Sequence, residues 1–260
     1  MSTTLDVSGT TPIPFSRLVA VELRKSCDTR AGRWLLIVIG LLVLATEIIV
    51  LAVTVTQDQA MSYGDFTAAA AFVTSILLPV LAIMVVTSEW GQRTAMVTFA
   101  LEPRRPHVIA AKAMVGVLLT LATIAVAMVV GAVCNLVYGA LQNGSDWTFG
   151  WSGFLGFLIT QLFAMAGGFA LATLFLNTAA SIVVFFIYKW VLPGLFAIGS
   201  QLMGWFASLA PWIDFQAAQN ELYDLPMTGT QWAHLLVSGL LWLAVPLAIG
   251  IPRVLRAEVK

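Results

Sequence analysis

Charge is what this sequence has least of. Only 10% of its 260 residues are Asp, Glu, Lys or Arg, whereas 60% are hydrophobic, and soluble globular chains carry about 25% charged residues. A soluble monomer of this composition would expose apolar surface that its few polar groups could not cover, so a soluble domain is excluded. Two cysteines, Cys27 and Cys134, are too few for a disulfide scaffold. Zero net charge without a basic domain argues against a nucleic-acid binder. Histidine is equally scarce. His107 and His234 stand far apart, so one protomer cannot build a bis-histidine haem site or a zinc helix, and the cysteines have no metal-ligand spacing. The chain has no Gly-Lys dipeptide, hence no Walker-type phosphate loop, and no Gly-x-Ser-x-Gly nucleophile elbow. No catalytic residue, metal or cofactor is expected in this chain.

Long apolar runs dominate instead, and the mean hydropathy is +0.93. They are too long for barrel strands of about 9–11 residues, and helices of about 20 residues satisfy their own backbone across a bilayer. The expected fold is an all-α integral membrane protein with six transmembrane helices. The spans are predicted at Trp34–Val55, Thr67–Val86, Ala113–Leu141, Trp151–Leu176, Ala179–Gly199 and Trp232–Ile251, the last closed by Pro252. The domain division is a cytoplasmic segment, 1–33, and one six-helix domain, 34–260. The first 33 residues lack an apolar signal core and a cleavage site, so no signal peptide is expected.

Lysine and arginine set the orientation. Arg17, Arg24, Lys25, Arg30 and Arg33 precede the first span, Arg93, Arg104, Arg105 and Lys112 follow the second, and Arg253, Arg256 and Lys260 follow the last. The opposite loops hold Asp58, Asp65, Asp146, Asp214, Glu221 and Asp224, with no basic residue. Cytoplasmic amino and carboxyl termini are therefore expected.

Three segments outside the spans stand out. Pro14–Arg24 reads as an interfacial helix, with Phe15, Leu18, Val19 and Leu23 on one side and Arg17 and Arg24 opposite. Glu22 interrupts its apolar arc, and a plain basic flank would serve orientation equally well. In 88–112, apolar Ala95–Leu101 is followed by Glu102-Pro103-Arg104-Arg105-Pro106, which breaks a helix. A short helix, a turn and re-entry into the third span are predicted, in a loop able to dock a partner or simply to stay solvated. Segment 200–231 is too apolar for a free loop and too interrupted to span. One or two short re-entrant helices on the outside are predicted there, as an interfacial anchor or a gate.

Two charges fall inside the membrane. Glu47 lies 14 residues beyond Arg33, about 21 Å along its helix, and Lys189 lies 12 residues past Asn177, about 18 Å along. Ionisable groups at such depth face protein or a water-filled cavity. The two residues could pair, line one cavity, or reach separately for the outer interface. Small residues at four-residue spacing, Ala164-Gly168-Ala172 and Ala127-Gly131-Asn135-Gly139, predict close helix packing. Asn143-Gly144-Ser145 matches a glycosylation sequon but is first a turn signal.

Taken together, Ser88-Glu89-Trp90, Thr94, Pro103-Arg104-Arg105 and Ala110-Ala111-Lys112 resemble the class-2 ABC transporter permeases. Glu22-Leu23-Arg24-Lys25 and Thr29-Arg30 before Trp34 are similar to that family's amino-terminal segment. Arg93 departs from it, standing where the family has glycine before the threonine. The resemblance implies a plasma-membrane (bacterial inner-membrane) permease, acting as a homodimer or with a related permease. ATP and Mg would be held by a separate ATP-binding subunit, expected in two copies. It further implies a coupling element at Glu89, Thr94, Arg104 and Arg105, joined by Glu22, Arg24 and Lys25 from a connecting helix. Glu47 and Lys189 become candidates for the translocation path of an exported drug, lipid or peptide. A membrane scaffold or sensor subunit without transport activity is the alternative, and an intramembrane enzyme would need more acids or metal ligands than Glu47 supplies.

Overall fold

A chain segment surrounded by apolar side chains has only its own backbone to bond with, and here it becomes helix. The computed structural model describes residues 13–92, 94–142 and 144–257. Its helices are α1 (Phe15–Asp28), α2 (Arg30–Gln57), α3 (Tyr63–Gly91), α4 (Ala95–Leu101), α5 (Arg105–Leu141), α6 (Trp151–Phe175), α7 (Thr178–Leu202), α8 (Gly204–Ile213), α9 (Phe215–Asn220) and α10 (Gly229–Arg256). Six of them, α2, α3, α5, α6, α7 and α10, are long and apolar enough to cross a membrane. Among the described residues there is no strand, only an isolated bridge between Ser62 and Asp146. The chain is an all-helical, multi-pass membrane protein.

Polar residues in the short connections start the helices. Ser62 and Asp65 form a reciprocal capping box at α3, as do Thr228 and Gln231 at α10. Asn177 accepts from Ala180 N at the start of α7. The α1–α2 break rests on Thr29, whose hydroxyl accepts from Gly32 N.

Helix α3 is the hub, with 56% of its most apolar stretch buried against 6% for α7. Leu78, Leu81 and Ile83 pack with Val115 and Leu119 of α5 and Met165 and Phe169 of α6. The α3–α6 crossing is close because Gly168 lies against Pro79. A Cβ on Gly168 would stand 2.6 Å from Pro79 Cα, which explains one of the two small-residue stripes. Helices α2, α7 and α10 turn most of their apolar surface outward.

Arg105 at the start of α5 donates to Leu255 O (2.7 Å) and Ala257 O (3.0 Å) at the end of α10. Thr87 of α3 bonds Thr178 of α7 at 2.7 Å. These contacts gather the basic segments at one end, called the basic end below. At the far end Tyr138 donates to Gln59 O (2.8 Å), and midway along α10 Trp242 Nε1 donates to Ile213 O (2.7 Å), the last residue of α8.

Several boundaries differ from the sequence expectations. α5 begins at Arg105, eight residues before the predicted Ala113, because Pro106 sits in the first turn, where its missing N–H costs nothing. α10 runs through Pro252 to Arg256 rather than closing there. A proline so near the end removes one backbone bond, while Arg253 and Arg256 in the last turn suit the helix dipole. Within 200–231 lie α8, α9 and a 3-10 turn (Glu221–Tyr223), whose Phe215, Ala218 and Leu222 pack with Met227 and Leu235. Arg93, Asn143 and Lys260 lie outside the described residues.

Candidate functional site

The interruption in the amphipathic stripe of α1 is the centre of the site. Glu22 is buried, and its carboxylate accepts from Lys25 Nζ (Oε1, 2.6 Å) and from Lys112 Nζ (Oε2, 2.6 Å). Lys112 also donates to Val85 O (3.1 Å) and stands 3.3 Å from Glu89 Oε2. Lys25 closes the circuit on Glu89 Oε1 (2.7 Å), which takes a second bond from the Thr98 hydroxyl (3.0 Å). The result is a neutral ring of two carboxylates and two ammoniums joining α1, α3, α4 and α5. The side chains of Glu22, Glu89 and Lys112 keep at most 9% of their exposure, while Lys25 keeps 40% and is the ring's wet side.

Charges this deep persist only when they are paired and their remaining hydrogen-bonding capacity is used. Lys112 meets that condition with two acceptors, Glu22 Oε2 and Val85 O, and a second carboxylate in ion-pair range. For Lys25, burial alone would lower the ammonium, but hydrogen bonds and charge from Glu22 and Glu89 outweigh it and hold it above its ordinary value. The ring fixes four helices relative to one another at the start of α5.

The other predicted coupling residues divide around it. Arg105 stacks its guanidinium 4.8 Å above the Phe99 ring while capping α10, so its role is internal. Arg104 bonds Glu102 (Nε to Oε1, 2.9 Å), a pairing that holds the Glu102 carboxyl below the usual range. Thr94 is exposed and its N–H bonds Glu89 O (2.9 Å). Arg24 is exposed on the opposite side of α1. What α4 turns outward is apolar: Met96, Val97 and Leu101 are all exposed. That exposed face borders a groove of about 520 Å³ between α1 and α3, with Leu18, Val21, Lys25, Val97 and Leu101 on its walls.

The two intramembrane charges are not brought together. Glu47 is fully buried, with Oε1 3.8 Å from where a Cβ on Gly131 of α5 would lie, and neither carboxylate oxygen has a hydrogen-bond partner among the described residues. Lys189 lines a cavity between α3, α6, α7 and α10 to which Glu47 does not contribute. Sequence reasoning left Lys112 out of the site, along with Thr98, Asn135 and Gln161. For Lys112, Asn135 and Gln161 the signal was a polar residue inside an apolar run. No family model matches this sequence, and no curated protein is detectably similar to it.

Proposed function

We propose that the chain is the membrane-spanning permease subunit of an ATP-driven exporter of the class-2 ABC type. The basic end faces the cytoplasm, as the positive-inside rule requires. Two copies assemble with a separate ATP-binding subunit. The observation that carries the reading is the charged ring, which locks a short helix with an outward apolar face to the ends of three longer helices. A partner pressing on Met96, Val97 and Leu101 would move α1, α3, α4 and α5 as one body. ATP binding and hydrolysis on that partner would then shift the spans between inward- and outward-open states, provided the exported amphipathic molecule binds the two states with different affinity.

Co-purification of an ATPase from the native membrane tests this. Reversing Arg104 and Arg105 would be a poor probe, because Arg105 holds the end of α10. The cleaner variant is Met96→Glu with Leu101→Glu, two exposed positions whose change is expected to alter stability by less than about 0.5 kcal/mol. An ATPase retained by the wild type and lost by this variant is the expected result. A chain that brings down no ATPase under gentle extraction would instead be a scaffold or sensor subunit.

A further inference from the structure

The cavity beside Lys189 measures about 690 Å³, within the range of small-molecule sites. It lies at mid-depth. Lys189 is 12 residues, about 18 Å, into α7 from the basic end, and Gln161 is ten residues, about 15 Å, into α6 from the other. Both helices facing it across the far side are locally widened. α7 carries a π turn at Ile187–Val191 and α10 another at Leu240–Ala244, a distortion frequent at functional sites. The two π turns meet at the Tyr188 and Trp242 rings, 4.8 Å apart. Gln216 donates to the carbonyls of Tyr188 (2.7 Å) and Lys189 (3.3 Å), holding the first π turn open.

Two polar groups of the wall lack a partner. Lys189 is half-buried, and its ammonium has neither an ion pair nor a hydrogen bond among the described residues. Gln161 is buried and its Nε2 donates to Ala71 O (3.3 Å), but its Oε1 has no donor. The other charged residue of the wall, Asp214, is engaged as the cap of α9, accepting from Ala217 N (3.0 Å). Phe72 and Trp190, edge to face at 6.0 Å and both exposed, line the cavity.

We propose that this cavity binds an amphiphile with one anionic headgroup on an apolar tail. Lys189 supplies the counter-charge, and the aromatic wall holds the tail. As the substrate class of an exporter this rests on the transport reading above, whereas as a binding site it does not. Long-chain carboxylates and anionic phospholipids share the chemistry, and one assay separates them. Protein in phosphatidylcholine nanodiscs is photolabelled with a diazirine-bearing long-chain carboxylate, and the labelled peptides are mapped by mass spectrometry. Label is expected on the α3, α6 and α7 peptides of the cavity, displaced at least tenfold better by the free acid than by its methyl ester. Lys189→Gln should cut labelling about tenfold, Lys189→Arg should retain it, and Ala164→Phe, which fills the cavity from α6, should abolish it. Suppression of the label in phosphatidylglycerol nanodiscs would identify a phospholipid headgroup as the occupant, and undiminished label a free amphiphile. Equal competition by the methyl ester, unchanged labelling of Lys189→Gln, or label confined to the outward face of α2 would overturn the proposal. No ATPase is present in this assay, so failure of the site and failure of the transport reading are read separately.

Discussion

The buried polar groups of the basic end and those of the membrane interior are built on opposite plans. At the basic end every charged atom of Glu22, Glu89 and Lys112 has a partner. In the interior Glu47, Asn135 and Gln161 keep side-chain atoms that are buried and unbonded among the described residues. A closed ring recovers through its own contacts the free energy lost on leaving water, so it behaves as one rigid part. An orphaned atom leaves that cost standing, and is where a ligand, a second protomer or a second conformation finds something to bond. The first arrangement holds its helices together as one part, and the second marks where the molecule has unused binding capacity.

Breaking the ring should have the largest effect. Lys112→Met leaves two buried carboxylates sharing the half-wet Lys25, with an expected loss of about 3–5 kcal/mol read as a fall in thermal stability in detergent. A double-mutant cycle of Glu22→Gln with Lys112→Gln should show coupling of about 1 kcal/mol or more. Strict additivity would mean that the four charges do not act as a unit.

Removing an orphan should do the reverse. Glu47→Leu exchanges an unpaired carboxyl for an apolar side chain of similar bulk, and is expected to be neutral or stabilising by about 1 kcal/mol. The same melting measurement checks it. A loss as large as that of Lys112→Met would show that Glu47 is bonded in the membrane to a group supplied from outside the chain, which would dissolve the contrast between the two regions.

Much of the architecture was legible because bilayer thickness forces it. The six spans, the short helix Ala95–Leu101 and the short helices within 200–231 follow from apolar run length and from breakers such as Pro103. The α5 and α10 boundaries were harder, since a proline near a helix end can either stop or start it, and only the surrounding packing decides. Glu22, Lys25 and Glu89 could be singled out by resemblance, yet their connection through Lys112 could not. It joins residues 90 positions apart, and no local pattern records that. Glu47 and Lys189 were legible as charges at membrane depth, whereas their separation into different surroundings depends on the rotation of α2 and α7 about their axes. The outward faces of those helices are apolar nearly all round, so periodicity gives no angle.

The smallest effect expected is a pH dependence confined to the ring's wet side. The Lys25 ammonium is held above its ordinary value of 10.5, so its contribution is complete below that value in the folded and unfolded chain alike. It is lost only as pH rises through the higher folded value. The difference in melting temperature between wild type and Lys25→Gln should therefore stay constant from pH 7 to about 10 and narrow above that. Because Lys25 is 40% exposed, water and ions screen it, and the difference should also shrink in 1 M salt, where the Debye length is about 3 Å. The loss caused by Lys112→Met should persist at the same salt, since the side chain of Lys112 is only 7% exposed. A difference that narrows well below pH 10 would mean that burial wins over the two carboxylates at Lys25, and that the ring is open on that side.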